Sequence, residues 1–159
     1  MSIEPAIQEL IERKLIKQEK IRDEQIVKLL ERSHKDLNTA KAILKSEIDE
    51  EAAFTYAYLT MLRAGRALMF SYGYRPIDGL QHWTVGEFAK RALGISFENI
   101  AQEFDAMRRE RNRFTYDPNI PVSEVEAQDA IKAAEECLTF IADKIIEWRP
   151  DLEKSITVK

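Results

Sequence analysis

Residues 50–72 read EEAAFTYAYLTMLRAGRALMFSY, and this stretch decides the fold. Its apolar and aromatic positions, together with one glycine, recur at steps of four and three residues: Phe54, Tyr58, Met61, Gly65, Leu68 and Tyr72. That spacing places them on one face of an α-helix that is buried in a helical bundle. The small Gly65 within this stripe predicts a close crossing by another helix.

The chain on either side of this helix also has a helical period. Apolar spacing predicts a helix over 35–46, with Ser33 or Asp36 as the residue that breaks or caps the chain before it. A further helix is predicted over 96–116, because Pro118 pushes the residue before it out of the α region.

The remaining boundaries follow from caps and breakers. Ser123-Glu-Val-Glu126 is a capping-box pattern that opens a last helix, which runs to about Trp148. The segment 73–94 is predicted to be irregular, with a short helix around 84–92, because it holds four of the five glycines: Gly73, Gly79, Gly86 and Gly94.

These patterns predict an all-α fold, an antiparallel up-and-down bundle of four to five helices over residues 26–150. Residues 1–25 are interpreted as an N-terminal helical arm and residues 151–159 as a C-terminal tail. The heavily charged stretch 3–31 has too little apolar surface around 16–25 to bury both sides of a helix. It is therefore interpreted as solvated, and the alternative is a helix that packs on a partner chain.

Length and composition narrow the class of protein. A chain of 159 residues suits one domain, and 33% charged with 45% hydrophobic residues excludes a disordered chain and a membrane protein. A single cysteine, Cys137, excludes an intrachain disulfide and a cysteine-rich metal site. We find no secretory leader pattern and no long uncharged apolar run, so we expect a cytoplasmic protein without a membrane partner.

Arg111 interrupts the apolar face of the helix over 96–116. That face is defined by Phe97, Ile100, Ala101, Phe104 and Met107. At 100° per residue Arg111 falls in the middle of it, where a guanidinium costs several kcal/mol unless it is paired or reaches a polar cleft. Two interpretations stay open: a buried ion pair with a Glu of the last helix, or a functional cleft.

The neighbours of Arg111 favour a cleft that binds an anion. Residues 108–116 read RRERNRFTY, a basic stretch in a chain whose net charge is −4. Asn112 and Tyr116 lie four residues apart on one face beside Arg111. A guanidinium fork, an amide and a ring suit a phosphate and a base. The structural alternative is an ion-pair network with the acidic last helix.

Over roughly residues 26–147 the sequence resembles the HEPN (higher-eukaryote and prokaryote nucleotide-binding) superfamily. The resemblance is carried by Tyr56-Ala-Tyr58, Arg63-Ala-Gly-Arg66-Ala-Leu, Gly73-Tyr-Arg-Pro76, Gln81-His82 and Arg108-x-x-Arg111-Asn112-x-x-x-Tyr116-Asp117. The motif of the family is an Arg, usually followed by a polar residue, with a His four to six residues beyond the Arg. Here Arg111-Asn112 match its first half, and Tyr116 stands at the His position, so the motif is degenerate.

The resemblance implies a helical bundle that forms a homodimer, with the two copies of the motif lining one cleft. Many members resemble metal-independent RNases of toxin–antitoxin and other defence systems. Others resemble non-catalytic partners that bind nucleotide or RNA, often together with a nucleotidyltransferase antitoxin. For this chain the candidate binding residues are Arg108, Asn112, Arg113 and Tyr116, and we expect no cofactor and no metal.

The candidate catalytic residues are Arg111, Tyr116 and His82. Metal-independent RNA cleavage needs a base for the 2′-OH proton and a cation for the phosphorane charge. Arg111 suits the second task, whereas an unperturbed phenol with a pKa of about 10 makes Tyr116 a poor base. His82 titrates near neutrality and is the other candidate base, although it could equally be a capping or core-edge residue.

The sequence therefore leaves three functional hypotheses. The first is a weak metal-independent endoribonuclease. The second is a binding module of the same fold that takes nucleotide, RNA or a protein partner and cleaves nothing. The third is a helical adaptor whose N-terminal arm makes the partner contact. The missing His favours the second over the first, while the Arg-Asn pair keeps a phosphate site plausible under both.

Overall fold

The computed structural model of the chain describes residues 4–77 and 81–156. Its helices are α1 (Glu4–Glu12), α2 (Asp23–Lys45), α3 (Glu50–Ser71), α4 (Gln81–Leu93), α5 (Glu98–Tyr116) and α6 (Glu124–Trp148). Two short strands, β1 (Ile16–Gln18) and β2 (Tyr74–Pro76), pair antiparallel, and 3-10 turns cover Gly94–Phe97 and Pro150–Leu152. The predicted all-α helical bundle is confirmed.

The helix α3 is the centre of the bundle. It packs against α2, α4, α5 and α6, and its predicted stripe is buried, with Tyr58, Met61 and Leu68 fully enclosed. The close crossing predicted at Gly65 is confirmed, because a Cβ atom added there would lie 2.5 Å from Cγ1 of Val85 in α4. A residue without a side chain is what allows α4 to approach α3 at this point.

The predicted break before residue 35 is wrong. Ser33 and Asp36 lie inside the continuous helix α2, and both are buried against α3. The hydroxyl of Ser33 donates to the backbone carbonyl of Thr60 at 2.6 Å, and Asp36 forms an ion pair with Arg63. These polar side chains are therefore satisfied across the α2–α3 interface and do not cap a helix.

The interpretation of residues 3–31 as a solvated helical arm is also wrong. A helix is present at α1, but Ile7, Leu10 and Ile16 are buried in the core of the same chain. Residues 16–18 form strand β1, and α2 already begins at Asp23. The limit drawn at residue 25 thus falls inside the first turn of α2.

One arginine of α4 holds α1 in place. The guanidinium of Arg91 donates to the carbonyl of Ala6 at 3.1 Å and to the carboxylate of Glu9 at 3.2 Å, and it also pairs with Glu87 in its own helix. The guanidinium of Arg13 lies 5.3 Å from the ring centroid of Trp83. The N-terminal segment is thereby attached to the face of α4.

The segment 73–94 is more regular than predicted, since strand β2 and helix α4 occupy most of its described part. Gly73 and Gly94 adopt positive φ angles of 82° and 69° and end α3 and α4.

The capping box at Ser123 is confirmed, and α5 ends at Tyr116 before Pro118. Gly79, the first three residues of the predicted arm and the last three of the predicted tail lie outside the described residues.

In the described part of the chain, no helix combines the length and the apolar character that a membrane crossing requires.

Candidate functional site

The guanidinium of Arg111 lies against the ring of Tyr58. Its central carbon is 5.8 Å from the ring centroid, which is within cation–π range. The Nε atom of Arg111 is buried and has no hydrogen-bond partner among residues 4–77 and 81–156. Its side chain forms no ion pair with any described residue, so the predicted alternative of a buried pair with a Glu of α6 is wrong for this part of the chain.

The other arginines of the basic stretch are paired within their own helix. Arg108 binds the carboxylate of Asp105 at 2.9 Å, and Arg109 lies 3.3 Å from the same carboxylate. Arg113 pairs with Glu110 at 2.8 Å. The described residues contain no ion pair between α5 and α6, so the alternative of a network between these helices fails as well. Arg111 thus differs from its neighbours, whose charges are matched.

Tyr58 and His82 form the second half of the site. The phenol oxygen of Tyr58 lies 2.8 Å from Nδ1 of His82, and the two rings stack with their centroids 5.6 Å apart. Tyr58 is fully buried, and burial raises the pKa of its phenol far above the ordinary value. The phenol therefore keeps its proton, and it shares with Nδ1 a hydrogen bond whose donor is set by the tautomer of His82.

The charge state of His82 is set by its surroundings. Burial lowers the pKa of the imidazole below 6.5, and the nearby positive charges of Arg111, Arg108 and Arg66 lower it further. The ring is therefore neutral at pH 7. In this state the imidazole carries one N–H donor and one acceptor nitrogen, and the ring becomes a cation only at lower pH or when an anion binds beside it.

A cavity of about 250 Å³ opens next to this pair, between α4 and α5. His82 and Phe104 lie in its wall, and both contact the ring of Tyr58. Its charged lining consists of three cations and three carboxylates: Lys90, Arg108, Arg109, Glu87, Glu98 and Asp105. The cavity is polar and open enough to admit water or part of a small ligand.

The structure brings together three of the residues that the sequence singled out. Arg111 and His82 share Tyr58 as a neighbour, and the charge of Arg108 acts on the same two rings. Asn112 is half-buried on the adjoining side of α5.

Two other candidates lie elsewhere on α5. Arg113 is exposed, about 200° around the helix from Arg111. Tyr116 is 84% exposed and about 140° away, so within one chain it does not meet Arg111. Its role stays a prediction.

Sequence reasoning missed the functional position of Tyr58. The residue lies on the buried stripe of α3, and that pattern indicates packing. Two signals were available: Tyr58 belongs to the Tyr56-Ala-Tyr58 sequence that contributes to the family resemblance, and its hydroxyl needs a partner when buried.

Among the described residues, no group of three or more His, Cys, Asp or Glu side chains is arranged to hold a metal ion.

The family model described as HEPN domain matches residues 26–145, which begins at the first turn of α2 and ends near the last turn of α6. Neither the curated proteins nor the solved structures contain a significant match to the chain. The match spans more than half of the sequence and the four long helices of the bundle. The chain therefore belongs to the HEPN domain family.

Proposed function

We propose that the chain is a nucleotide- or RNA-binding protein that takes a phosphate group between Arg111 and His82. The observation that carries the proposal is the half-buried guanidinium of Arg111, whose charge no described carboxylate matches. An anion at this point would supply the missing partner. Membership in the HEPN domain family supports the same class of ligand.

The chemistry of the neighbours fits a phosphate oxygen. An anion beside His82 would raise the pKa of the imidazole, so that binding would add a second positive charge and make both ring nitrogens donors. Arg108 lies close enough to act on both rings, although it already pairs with Asp105. The nearby cavity offers space for the group attached to the phosphate.

We further propose that the binding unit is a homodimer with α5 in its interface. Arg111 and Tyr116 point to different sides of the same helix, so one chain does not unite them. Two chains packed through α5 would place Tyr116 of one copy near Arg111 of the other. This arrangement would also give the exposed ring of Tyr116 a partner.

Cleavage is the less favoured part of the proposal. A metal-independent endoribonuclease of a toxin–antitoxin or defence-type system needs a base, and Tyr116 is a phenol. His82 beside a bound phosphate would take up a proton and become a donor, so it would serve first in binding. We therefore place binding before cleavage, and any ribonuclease activity should be weak.

The second candidate function is a non-catalytic helical module that partners a nucleotidyltransferase or another protein. The exposed Tyr116 favours it, because a large ring that is 84% exposed next to the basic stretch suits a contact with another chain.

The experiment that separates these functions uses the purified full chain, a labelled single-stranded RNA and EDTA. Binding is measured by fluorescence anisotropy and cleavage by gel electrophoresis of the same samples. Saturable, salt-dependent binding that Arg111→Ala weakens by tenfold or more supports the proposal. No binding of RNA or of mononucleotides by the intact protein would contradict it and leave the protein-partner module.

A further inference from the structure

A second basic surface lies away from the Arg111 site, in a groove between the N-terminal half of α2 and the end of α3. It encloses about 430 Å³ and is lined by five cationic side chains and one carboxylate, Glu24. The cationic residues are Arg22, Lys28, Arg32, Arg66 and Arg75. On a chain whose net charge is −4, so uneven a lining is an unusual concentration of positive charge.

Much of this charge has no partner inside the protein. Arg22, Lys28 and Arg32 are exposed, and none forms an ion pair with a described residue. Lys28 and Arg32 are one helical turn apart, where two like charges repel each other. A bound anion would relieve this repulsion.

The floor of the groove is apolar and firm. Phe70 is buried, and the guanidinium of Arg75 lies 5.0 Å from its ring centroid while pairing with Glu19. Leu29 adds a half-buried aliphatic surface between the charges. Arg75 is therefore held in a fixed position, while the cations of α2 stand free above the floor.

We infer that this groove binds the phosphodiester backbone of a single-stranded RNA. The inference deepens the proposed function, because the same strand would present one phosphate to Arg111 and further phosphates to the groove. The cations along α2 extend from Arg22 to Arg32, about 15 Å at 1.5 Å per residue. An open groove with charges spread over that length fits a chain of phosphates better than a single compact group.

Helix α3 connects the two sites. Tyr58, which is hydrogen-bonded to His82, and Arg66, which lines the groove, lie about 12 Å apart along this helix at 1.5 Å per residue. The charge of Arg66 is also among those that lower the pKa of His82. A strand that spans this distance would contact both sites.

The test compares a 12-nucleotide RNA with a dinucleoside monophosphate, whose single phosphate cannot occupy both sites. The groove variant is Lys28→Gln/Arg32→Gln, and the matched control is Lys45→Gln/Lys132→Gln, which removes two exposed positive charges at other places. Affinities are measured from low to physiological salt, and circular dichroism with thermal unfolding checks that each variant is folded.

We expect the groove variant to bind the 12-nucleotide RNA about tenfold more weakly than the parent protein and its charge-matched control. The slope of log K against log salt should decrease by about 1.4, since each phosphate contact with a single strand contributes about 0.7. Binding of the dinucleoside monophosphate, which depends on Arg111, should be unchanged.

Equal affinities and equal salt slopes for the groove variant and the control would overturn the inference while leaving the Arg111 site intact. If the parent protein binds neither the dinucleoside monophosphate nor the 12-nucleotide RNA, the proposed function itself is contradicted. The inference would also be overturned if inorganic tripolyphosphate binds the groove while the groove variant and the parent protein bind the RNA equally well. That result would assign the surface to a small polyphosphate.

Discussion

The phenol of Tyr58 and the imidazole of His82 are joined by a 2.8 Å hydrogen bond, and this contact connects the buried stripe of α3 to the candidate site. The ring of Tyr58 is fully enclosed, so the hydroxyl has a fixed position. A core residue thus orients the ring of His82 and helps to set how easily that ring takes up a proton.

We expect His82 to titrate below 6.5 in the folded protein. NMR can follow it directly, because the sequence has only two histidines and His34→Gln assigns the signals. Tyr58→Phe removes the hydrogen bond to Nδ1, and the sign of the resulting change identifies its donor: the pKa of His82 rises if the phenol donates to the neutral ring and falls if Nδ1–H donates to the phenol. A pKa at or above 6.5 in the parent protein would show that the imidazole is neither buried nor close to Arg111.

The same shift makes stability depend on pH. The folded pKa of His82 lies below the unfolded value of about 6.5, so the unfolded chain binds the proton more readily. The contribution of this group to the free energy of unfolding is complete above pH 6.5 and is lost as the pH falls from 6.5 through the folded pKa. His82→Gln should flatten this part of the stability profile, measured by urea unfolding.

Arg111→Ala should weaken RNA binding by tenfold to a hundredfold, the effect of about 1.5–3 kcal/mol for a hydrogen bond to a charged group. Stability should change little, because the replaced contact is a cation–π interaction of about 0.5–1 kcal/mol. Arg113→Ala removes an equal charge from the exposed opposite side of α5 and should bind RNA almost normally. A stability loss of about 3–5 kcal/mol in Arg111→Ala would instead reveal a buried ion pair.

The chain should be a homodimer that includes α5 in its interface. Light scattering at micromolar concentration should then give twice the 18.5 kDa of one chain. Tyr116→Arg should shift the equilibrium toward the monomer by placing like charges together. A monomeric parent protein at these concentrations would rule out a site shared between two copies.

Any ribonuclease activity should be weak in EDTA and should increase in Tyr116→His. The change replaces a phenol by an imidazole, the side chain that most often serves as a general base near neutral pH. The exposed position should accept the new ring without loss of stability. If RNA remains uncut while the dimer is intact, position 116 does not hold the base and only the binding function stands.

Gly65→Ala should destabilise the protein by about 1–3 kcal/mol, because its Cβ atom would collide with the buried Val85. Gly86→Ala is the matched control, since its Cβ atom would lie 3.9 Å from Phe104 in ordinary contact. Gly86→Ala should be as stable as the parent protein or more stable. In the double variant Gly65→Ala/Val85→Ala, part of the stability lost in Gly65→Ala should be restored. Thermal unfolding compares these three variants with the parent protein, and equal losses at both glycines would contradict the close crossing.

Local signals predicted the bundle well because they act within one helix. The stripe on α3, the capping box at Ser123 and the stop before Pro118 each depend on neighbours in sequence. Ser33 and Asp36 misled for the opposite reason. Short polar residues ahead of an apolar run indicate a cap, and only partners 27 residues away show that they are buried mid-helix.

Some residues of the candidate site could be singled out from the sequence. Arg111 was singled out because a charge on an apolar face is conspicuous, and in the structure its guanidinium lies against the buried ring of Tyr58. The contact of Tyr58 with His82 was missed because a buried aromatic residue gives the same helical spacing whether or not it is hydrogen-bonded to a histidine. Three-residue strands have no detectable period, so the pairing of residues 16–18 with 74–76 was also out of reach.

That pairing has a consequence for the order of folding. Ile16 faces Pro76, roughly 60 residues later in the chain, and closing so long a loop costs about 3–4 kcal/mol in chain entropy before any contact offsets it. Formation of the α2–α3 hairpin brings the two strands near each other in space, because β1 precedes α2 and β2 follows α3. We therefore expect residues 4–18 to dock after the α2–α3 hairpin has formed, so that β1 closes over a hairpin that is already assembled.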